Sequence, residues 1–433
     1  MSDLTSAALA VSILAPLVAV LALGGRVLLG PREPSEETTY RLIMSGLIAS
    51  TLASWTSLAL FFGVAGEPLG GEVDFGSWLL IHDYQIPAVL LVDGLAVTIS
   101  VLASTLTTVI ARFSRSYLHK EPGFTRFFAV LGMFATGTQL IGLAGALELF
   151  FAGWELIGIA SALFIGFFHE RDEPVRSSIR AFATYRLADT GLLIATVVTF
   201  EMLGSARFSA LDQAATLSPA GSTLIALCFL LAALGKSAQL PFSEWLPRAM
   251  EGPTPSSALF YGAVSIHAGL FLLLRVWPVL AVSPTARVAG VAVGLATAVY
   301  AATVARTHTD AKGALAHATL TQVGLILAEI CLGWTELALT HLVCHALLRL
   351  GQYLKAPNMI HDSHRMGHGP ATDPLLARVA PRLAAVLYAQ SLHRLRLDDR
   401  LAQTMTPVLA LARWLDAMDG RLRRLLSADR RPS

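Results

Sequence analysis

Apolar stretches of about 20 residues recur along most of this chain, and their length restricts what it can fold into. An α-helix of that length crosses a hydrocarbon core roughly 30 Å thick. The first stretch, from Ala7 to about Gly30, is too long for the apolar region of a signal peptide and lacks a basic start. A membrane barrel would show alternating rather than continuous apolar residues. The sequence therefore predicts an all-α polytopic membrane protein.

The composition supports this class and excludes others. Of the 433 residues, 54% are hydrophobic and 14% are charged, against about 25% charged residues in an ordinary soluble domain. The net charge of +2 gives no global field for nucleic acid, and the sequence has no glycine-rich phosphate loop or dinucleotide fingerprint. The three cysteines lie inside apolar stretches without CxxC spacing, which favours membrane packing over a disulfide framework.

About eleven spans are predicted, and charge sets their direction. Residues 112–126 contain four Lys and Arg residues, whereas residues 64–111 contain none. Because positive residues are retained on the cytoplasmic side, the N-terminus is predicted to lie outside a cell inner membrane, and an odd number of spans leaves the C-terminus in the cytoplasm. The spans are expected near 7–29, 43–63, 87–111, 127–144, 148–168, 181–203, 221–240, 256–281, 287–305, 313–333 and 337–355.

The seventh span does not fit a simple helix. After Leu240 the chain has four prolines within residues 241–255, with Gly252 among them. Proline interrupts a helix, and unwound backbone at membrane depth is tolerated only where it is buried or lines a cavity. We therefore predict a broken seventh helix of the kind that marks transport paths.

The C-terminal part has a different pattern. From about Thr372 onward, apolar pieces of about twelve residues alternate with arginines; they are too short and too charged to cross a membrane and fit amphipathic helices on the inner surface or on a partner. The chain is thus divided into an N-terminal three-helix segment (1–111), a core (112–361) and a cytoplasmic tail (362–433). The tail arginines include Arg378, Arg382, Arg394, Arg396 and Arg413.

Ionisable residues inside the predicted spans carry the functional signal. A charge at the centre of a span costs about 2.5–3.5 kcal/mol on insertion scales, so such residues usually face the bundle interior and mark ion or proton paths. Any one of them can instead be a satisfied structural group: Asp93 fits a helix cap equally well, and Glu329 is expected to be solvated. The predicted proton path comprises Glu155, Arg186, Asp189, Lys236, His267, Lys312, His341, His345 and Arg349.

Lysine usage singles out Lys236. Only four lysines occur among the 32 Lys and Arg residues. Arginine is effectively always protonated, whereas a desolvated lysine can release its proton, so Lys236 is the best candidate for a switching base. His341, His345 and Arg349 recur every four residues on one helix face. Histidine titrates near neutral pH and is suited to relaying protons.

Metal binding is the main alternative for the histidines. His341, Cys344 and His345 have ligand-compatible spacing on one helix face, and His361, His364 and His368 follow. No HExxH or CxxC motif accompanies them in the sequence, which disfavours a tetrahedral zinc site.

Three motifs in the predicted core match a known pattern. They are Trp154-Glu155-Leu-Ile-Gly158, the stretch from Gly235-Lys236 to Pro-Thr-Pro255, and Asp310-Ala-Lys312 with Thr321-Gln-Val-Gly324. Together they resemble the antiporter-like membrane subunits of respiratory NADH:quinone oxidoreductase and of Mrp-type cation/proton antiporters. In that superfamily, inverted five-helix repeats carry a proton-conducting chain of Glu, Lys and His. The resemblance implies that the family's conducting residues correspond to Glu155, Lys236, Lys312, His341 and His345.

The chain departs from the respiratory subunits at several positions. Tyr261 stands where those subunits usually have a histidine, with His267 two turns later, and Arg349 replaces a lysine. Nothing after Lys355 is expected to form a second broken helix, so the second repeat is predicted to be truncated. With Gly351-Gln-Tyr-Leu-Lys355 and the amphipathic tail, the pattern is more similar to the DabB-type family, the membrane subunits of two-component inorganic carbon accumulation complexes.

This resemblance implies a function and a partner. In the DabB-type family the partner is a large, zinc-containing, carbonic-anhydrase-like DabA-type protein on the cytoplasmic side, and cation flow is held to energise CO2 hydration there. The chain is then expected to conduct H+ or Na+ within the lipid bilayer as a non-enzymatic subunit, without a cofactor of its own and without nucleic acid. An Mrp-like antiporter subunit or a respiratory proton-pumping subunit is the alternative.

Overall fold

The computed structural model of the chain describes residues 3–30, 33–64, 70–81, 84–308, 310–366 and 381–392, with single residues at 410, 414, 417 and 418. Two compact units are present, Met1–Ala371 and Thr372–Ser433. Within the described residues, ten helices are long and apolar enough to cross a membrane. These helices confirm the polytopic α-helical prediction.

Long helices joined by short connections make up the first unit. Those before the break are α1 (Asp3–Leu29), α2 (Glu36–Phe61), α3 (Gly94–Tyr117), α4 (Phe124–Leu143), α5 (Leu147–Ile165) and α6 (Asp172–Leu203). A hairpin of β1 (Gly71–Ile81) and β2 (Tyr84–Val92) separates α2 from α3. The later elements are a 3-10 segment (Phe208–Thr216), α7 (Pro219–Lys236), α8 (Trp245–Arg248), α9 (Thr254–Ser256), α10 (Ala268–Arg275), α11 (Trp277–Ala281), α12 (Pro284–Ala305), α13 (Ala311–Leu332) and α14 (Thr335–Met366). The second unit contains α15 (Pro381–Leu392).

Polar caps fix where several helices begin. The side chains of Asp93 and Ser218 accept hydrogen bonds from backbone amides in the first turns of α3 and α7. Asp310 caps α13 in the same way. Such a cap satisfies an otherwise unpaired amide and stabilises a helix by about 1 kcal/mol. The predicted cap at Asp93 is therefore confirmed.

Glycines allow neighbouring helices to approach closely. A Cβ on Gly294 of α12 would lie 2.6 Å from the carbonyl oxygen of Gly324 in α13, and a Cβ on Gly324 would lie 2.6 Å from that of Gly294. Gly137 of α4 and Gly153 of α5 face each other in a similar way. In a membrane, close packing of this kind substitutes for the hydrophobic driving force that water supplies to soluble proteins.

The predicted third span, 87–111, begins too early. Tyr84–Val92 is a strand that pairs antiparallel with β1, and the helix starts only at Gly94. The apolar run alone did not separate a strand from a helix. Pro87 within it lacks the amide that a helix interior needs, and the cap at Asp93 marks the start of the helix.

The hairpin is tied to the connection between α6 and α7. Arg207 donates to Glu72 at 2.9 Å and to Asp74 at 2.7 Å, both on β1. The guanidinium lowers the pKa of the Asp74 carboxyl, and the two carboxylates in turn raise the pKa of Arg207. We call this side of the first unit the hairpin end, and the opposite side, which carries the arginine-rich connections α3–α4 and α5–α6, the basic end.

The sixth helix begins earlier than predicted. The predicted span was 181–203, whereas α6 starts at Asp172 and adds more than two turns. Hydropathy misses these turns because they are charged, yet Asp172 and Glu173 favour a helix start through the helix dipole. Arg186 and Asp189, expected at the opening of the span, consequently lie in the middle of the helix.

The predicted break of the seventh helix is confirmed. Helical geometry ends at Lys236, and we call residues 237–253, between α7 and α9, the broken segment. Side chains satisfy the released backbone groups: Ser237 Oγ donates to Ile266 O at 2.7 Å, and Leu240 N donates to Thr297 Oγ1 at 3.0 Å. Such compensation is what makes unwound backbone tolerable at membrane depth.

The eighth span, predicted at 256–281, is also irregular. Ser257–Ala263 is π-helical and Ser265–His267 forms a 3-10 turn before α10 begins. The helix stops at Arg275, which forms an ion pair with Asp93 and so ties its end to the start of α3. π-Helical turns are rare and are frequently found at functional sites.

The eleventh predicted span, 337–355, is helical within α14 but is not among the ten apolar helices, because its histidines and Arg349 lower its mean hydropathy. Of the predicted tail, 362–433, the structure describes α15, in which Arg382 is exposed. The side chains of residues 357–366, including His361 and His364, lie outside the described part of the chain. So do His368, Arg378, Arg394, Arg396 and Arg413.

Candidate functional site

Arg186 joins two carboxylates between α5 and α6. Its guanidinium forms ion pairs with Glu155 and, at 2.9 Å, with Asp189. Trp154 Nε1 also donates to Asp189. The Asp189 side chain is only 4% exposed, so these donors satisfy a carboxylate that would be costly to bury alone. Arg186 thus bridges a carboxylate of α5 and a carboxylate of its own helix.

Lys236, the last residue of α7, shares Trp154 with this cluster and is buried. Its Nζ donates to Trp154 O at 2.9 Å and lies 4.8 Å and 5.0 Å from the ring centres of Trp154 and Tyr185. Gly158 leaves room for the amine, since a Cβ there would lie 3.1 Å from Nζ. Within the described residues Lys236 makes no ion pair. A carbonyl accepts from an ammonium or a neutral amine, so the position accommodates both charge states.

Aromatic and hydroxyl side chains surround the lysine. Trp245 donates its Nε1 proton to a backbone carbonyl of α7, and its ring packs against Tyr185 and Tyr261 with centroid separations of 4.9 and 5.8 Å. Tyr261 stands at the position where the resemblance expects a histidine; it is fully buried and donates to Ser161 O at 3.2 Å. Its phenol keeps hydrogen bonding at this position without the ready protonation of an imidazole.

His267 and His345 form a hydrogen-bonded pair. His267 Nε2 lies 2.9 Å from His345 Nδ1, and His267 Nδ1 lies 2.9 Å from Ala263 O in the π-helical turn. Arg349 Nε donates to His345 Nε2 at 3.1 Å, and its NH1 donates to Gln352. Both imidazoles are buried.

These contacts assign the protons on both rings. Arg349 can only donate, so His345 Nε2 is an acceptor and its proton sits on Nδ1. That proton is donated to His267 Nε2, and His267 Nδ1–H is donated to Ala263 O, which only accepts. The pair is therefore neutral, and all three hydrogen bonds are donated in the same direction, from Arg349 through His345 and His267 to Ala263 O. The lone pair of His345 Nε2 accepts from Arg349, so His345 cannot take up a proton at Nε2 while this hydrogen bond is in place.

His341 lies one turn before His345 in different surroundings. Its Nδ1 is 3.0 Å from Glu329 Oε1 and its Nε2 is 3.0 Å from Gln322 Oε1. Both neighbours are acceptors, so this site accommodates a doubly protonated ring. Glu329, expected to be solvated, is instead mostly buried and paired, because α13 and α14 pack together there.

The nine predicted residues fall into three groups. Ser237 and Ile266, joined by a hydrogen bond, are the immediate neighbours of the lysine and of the first histidine, so the first two groups adjoin. Lys312, at the start of α13, donates to Gly252 O in the broken segment at 3.2 Å and, within the described residues, contacts neither of the other groups. The groups are Glu155, Arg186, Asp189 and Lys236; His267, His341, His345 and Arg349; and Lys312 alone.

A small, mainly apolar cavity lies against His267. Ile157, two residues after Glu155 on α5, lines it together with Thr138, Val264 and Phe271. The helix α5, which carries Glu155, and the imidazole of His267 thus border the same cavity.

Several contributing residues were missed by reasoning from the sequence. Trp154 and Gln322 both lie within the quoted motifs and supply direct partners, to Lys236 and His341 respectively. Their adjacency to motif residues was the available signal. Glu329 was missed because its partner lies on the next helix, which spacing along one helix cannot reveal.

The zinc alternative finds no geometric support in the described part of the chain. No group of three or more His, Cys, Asp or Glu residues there is arranged to hold a metal ion. Cys344 is exposed, whereas His345 is buried against His267, so the predicted ligands do not converge.

Comparison with known proteins assigns the chain to a family. Residues 144–392 match the family described as NADH:quinone oxidoreductase/Mrp antiporter, TM, and residues 78–128 match the N-terminus of chain 5 of NADH-ubiquinone oxidoreductase (complex I). The chain belongs to the NADH:quinone oxidoreductase/Mrp antiporter family. The superfamily predicted from the three motifs is thereby confirmed, as is the expectation of a multi-pass membrane protein.

Its relatives include quinone oxidoreductase subunits. NAD(P)H-quinone oxidoreductase chain 5 of Picosynechococcus sp. is 32% identical over 72% of this chain and 49% of its own length. The corresponding Synechocystis sp. protein is 29% identical over 84% of this chain and 55% of its own. The chain therefore spans about half the length of the curated relatives it matches. Among solved structures, the Mrp complex from Dietzia sp. has a chain with the same fold, with a TM-score of 0.70 and 24% identity over 83% of this chain and 38% of that one.

Proposed function

We propose that this chain conducts protons across a membrane, with Lys236 as the central switching base. The observation that carries the proposal is the setting of that amine: buried at a helix break, held by a carbonyl and two ring faces, and next to carboxylates that an arginine already occupies. A permanently paired structural lysine would sit against a carboxylate. This lysine sits where its charge can be gained and lost.

Arg186 is proposed to act as the gate. While Arg186 holds Glu155 and Asp189, neither carboxylate turns toward the lysine. Without a carboxylate beside it, the Lys236 ammonium is favoured to release its proton toward the histidines. When the ion pair opens, a freed carboxylate stabilises the ammonium and favours uptake, because an opposite charge nearby favours the charged form. The gate thus couples a side-chain movement to the charge of Lys236. The histidine pair and Lys312 are proposed to relay the proton onward from Lys236.

Proton conduction performs useful work only if it is coupled to another process. One charge crossing the membrane supplies about 2.3 kcal/mol per 100 mV, which is useful only where transfer biases a conformational or protonation change elsewhere. We infer that the change is delivered to a protein partner, since the similar proteins are a chain of an NAD(P)H-quinone oxidoreductase and a chain of an Mrp complex.

We propose inorganic carbon accumulation as the role of that assembly, with a zinc-containing, DabA-type protein as the partner on the cytoplasmic side. Tyr261 and Arg349, which depart from the respiratory pattern, support this assignment. In this arrangement the basic end faces the cytoplasm of a cell with the N-terminus outside. The curated relatives favour a second candidate, a quinone oxidoreductase or Mrp-type antiporter subunit.

Proton flux tests the central proposal. In proteoliposomes of the purified chain under a potassium diffusion potential, wild type should acidify or alkalinise the lumen, and both Lys236→Ala and Lys236→Arg should abolish flux, since arginine keeps charge but does not release it. Lys120→Arg, at an exposed lysine of the basic end, is the matched control and should conduct normally. Equal flux through Lys236→Ala and wild type would rule out the lysine as the switch.

Growth assays separate the two assemblies. Co-expression with a DabA-type partner should restore growth in ordinary air to a carbonic-anhydrase-deficient host that otherwise needs added bicarbonate. Restoration of sodium tolerance by this chain without a zinc partner would support the antiporter candidate instead.

A further inference from the structure

Two stacked histidines lie at the basic end, outside the predicted path. The rings of His308 and His317 are 4.4 Å apart, centre to centre, and inclined by 30°. His308 follows α12, its side chain is 13% exposed, and its Nδ1 lies 3.3 Å from Asp310 Oδ2. His317, inside α13, is completely buried. The stack therefore joins an exposed carboxylate to a buried imidazole.

A glycine makes this arrangement possible. A Cβ on Gly313 would lie 2.6 Å from His308 Nδ1 and 2.6 Å from Asp310 Oδ2. The same residue accepts a hydrogen bond from His317 Nδ1 at 3.0 Å through its carbonyl oxygen. Because that oxygen only accepts, the Nδ1 of His317 carries its proton and Nε2 is the nitrogen that can bind another.

Further polar side chains continue inward from the two stacked histidines. The ring of Tyr300 in α12 lies 6.4 Å from that of His317, and its hydroxyl donates to Glu244 in the broken segment. Glu244 is 5% exposed. The next residue is Trp245, whose ring packs on Tyr185, the same tyrosine whose ring faces Lys236.

We propose that His308 and His317 form a proton-uptake relay at the basic end: His308 takes a proton from water beside the Asp310 carboxylate and passes it through His317, Tyr300 and Glu244 to the neighbourhood of Lys236. Each step moves one proton: between ring nitrogens from His308 to His317, from a ring nitrogen of His317 to the Tyr300 oxygen, and between two oxygens from Tyr300 to Glu244. Each residue gives up one proton as it gains another, so it is unchanged after the proton has passed. The inference rests on the proposed proton conduction and adds to it a route from the aqueous surface.

The exposed start of the relay suits uptake from water. The hydrogen bond from His308 lowers the pKa of Asp310 to about 2, so this carboxylate stays ionised and attracts protons toward the histidine beside it. Charged and titratable groups on the packed elements are Lys312 on α13, Arg306 at the end of α12, and Arg248 and Glu251 in the broken segment.

Flux through histidine variants tests the relay in the same proteoliposomes. His308→Gln and His317→Gln should each lower proton flux on the order of 100-fold, the lower range for loss of a positioned proton-transfer group. His317→Ala should lose flux equally and recover it when imidazole is added, which a purely structural role would not do. His169→Gln, at an exposed histidine of the basic end, is the matched control.

The outcomes separate this inference from the proposed function. Wild-type flux in both glutamine variants, with flux lost in Lys236→Ala, would overturn the relay and leave the proposed conduction standing. Loss of flux in His317→Ala that imidazole does not restore would also overturn it. No flux in wild type above that of empty liposomes would overturn both.

Discussion

Arg349→Lys should increase proton flux. In the structure Arg349 Nε donates to His345 Nε2 at 3.1 Å and a second nitrogen donates to Gln352 at 2.6 Å. Arginine does not give up its proton, so His345 can accept one at Nε2 only after the first of these hydrogen bonds breaks. A lysine at this position offers a proton that can be transferred instead.

The magnitude follows from that one bond. A hydrogen bond to a charged group contributes about 1.5–3 kcal/mol, and each 1.36 kcal/mol of barrier is a factor of ten in rate. If breaking the bond limits transfer, flux through Arg349→Lys should exceed wild type by about 10- to 100-fold.

The assay is proton flux in proteoliposomes at equal protein density, with Arg382→Lys as the control, because Arg382 is exposed on α15 in the second unit. Flux equal to or below wild type in Arg349→Lys, in protein of unchanged melting temperature, would refute the role of Arg349 as a barrier. It would indicate that another step, such as opening of the Arg186 ion pair, limits conduction.

Two further predictions concern the hairpin end. Asp93→Asn should keep the cap on α3 but leave Arg275, whose side chain is 6% exposed, without its counter-charge; we expect a loss of about 3 kcal/mol, the lower range for a broken buried pair because Asp93 is 41% exposed. Asp93→Ala should cost about 1 kcal/mol more by removing the cap as well, and equal melting temperatures of the two variants in detergent would contradict this. Arg207 lowers the pKa of Asp74 below its ordinary value of 3.8. The ion pair therefore stabilises the folded state at pH values above 3.8, and this stabilisation is lost as the pH falls below 3.8 and Asp74 becomes protonated. Wild type and Asp74→Asn should therefore differ in melting temperature at about pH 6, and the difference should shrink as the pH falls below 3.8; a difference that does not shrink would show that the pair acts through packing rather than charge.

The sequence predicted the parts of the fold that depend on local rules. Apolar length located ten spans, and clustered prolines located the break after Lys236, because both signals are written in consecutive residues. The boundary errors share one cause. Hydropathy reads apolar content, so it extended the third span into a strand and missed the charged first turns of α6.

The candidate site was predictable in residue type but not in pairing. Lysine and histidine inside spans stand out because they are costly in lipid. Which partner each one takes depends on helix packing. The direct contact between His267 and His345 joins residues 78 positions apart, and the placement of Glu329 against His341 required the position of the neighbouring helix.

The two arginines of the path have a common consequence for conduction. Arg186 occupies the carboxylates on one side of Lys236, and Arg349 occupies the outer lone pair of the histidine pair on the other. Arginine is a poor proton carrier because a guanidinium does not readily give up its proton, so we expect neither residue to pass a proton by exchange. Both ends of the proposed path are therefore closed by an arginine, and we expect conduction to need each arginine to move in turn. Opening both at once would let protons leak down the potential without work, so any coupling to a partner should act by preventing the two arginines from moving together.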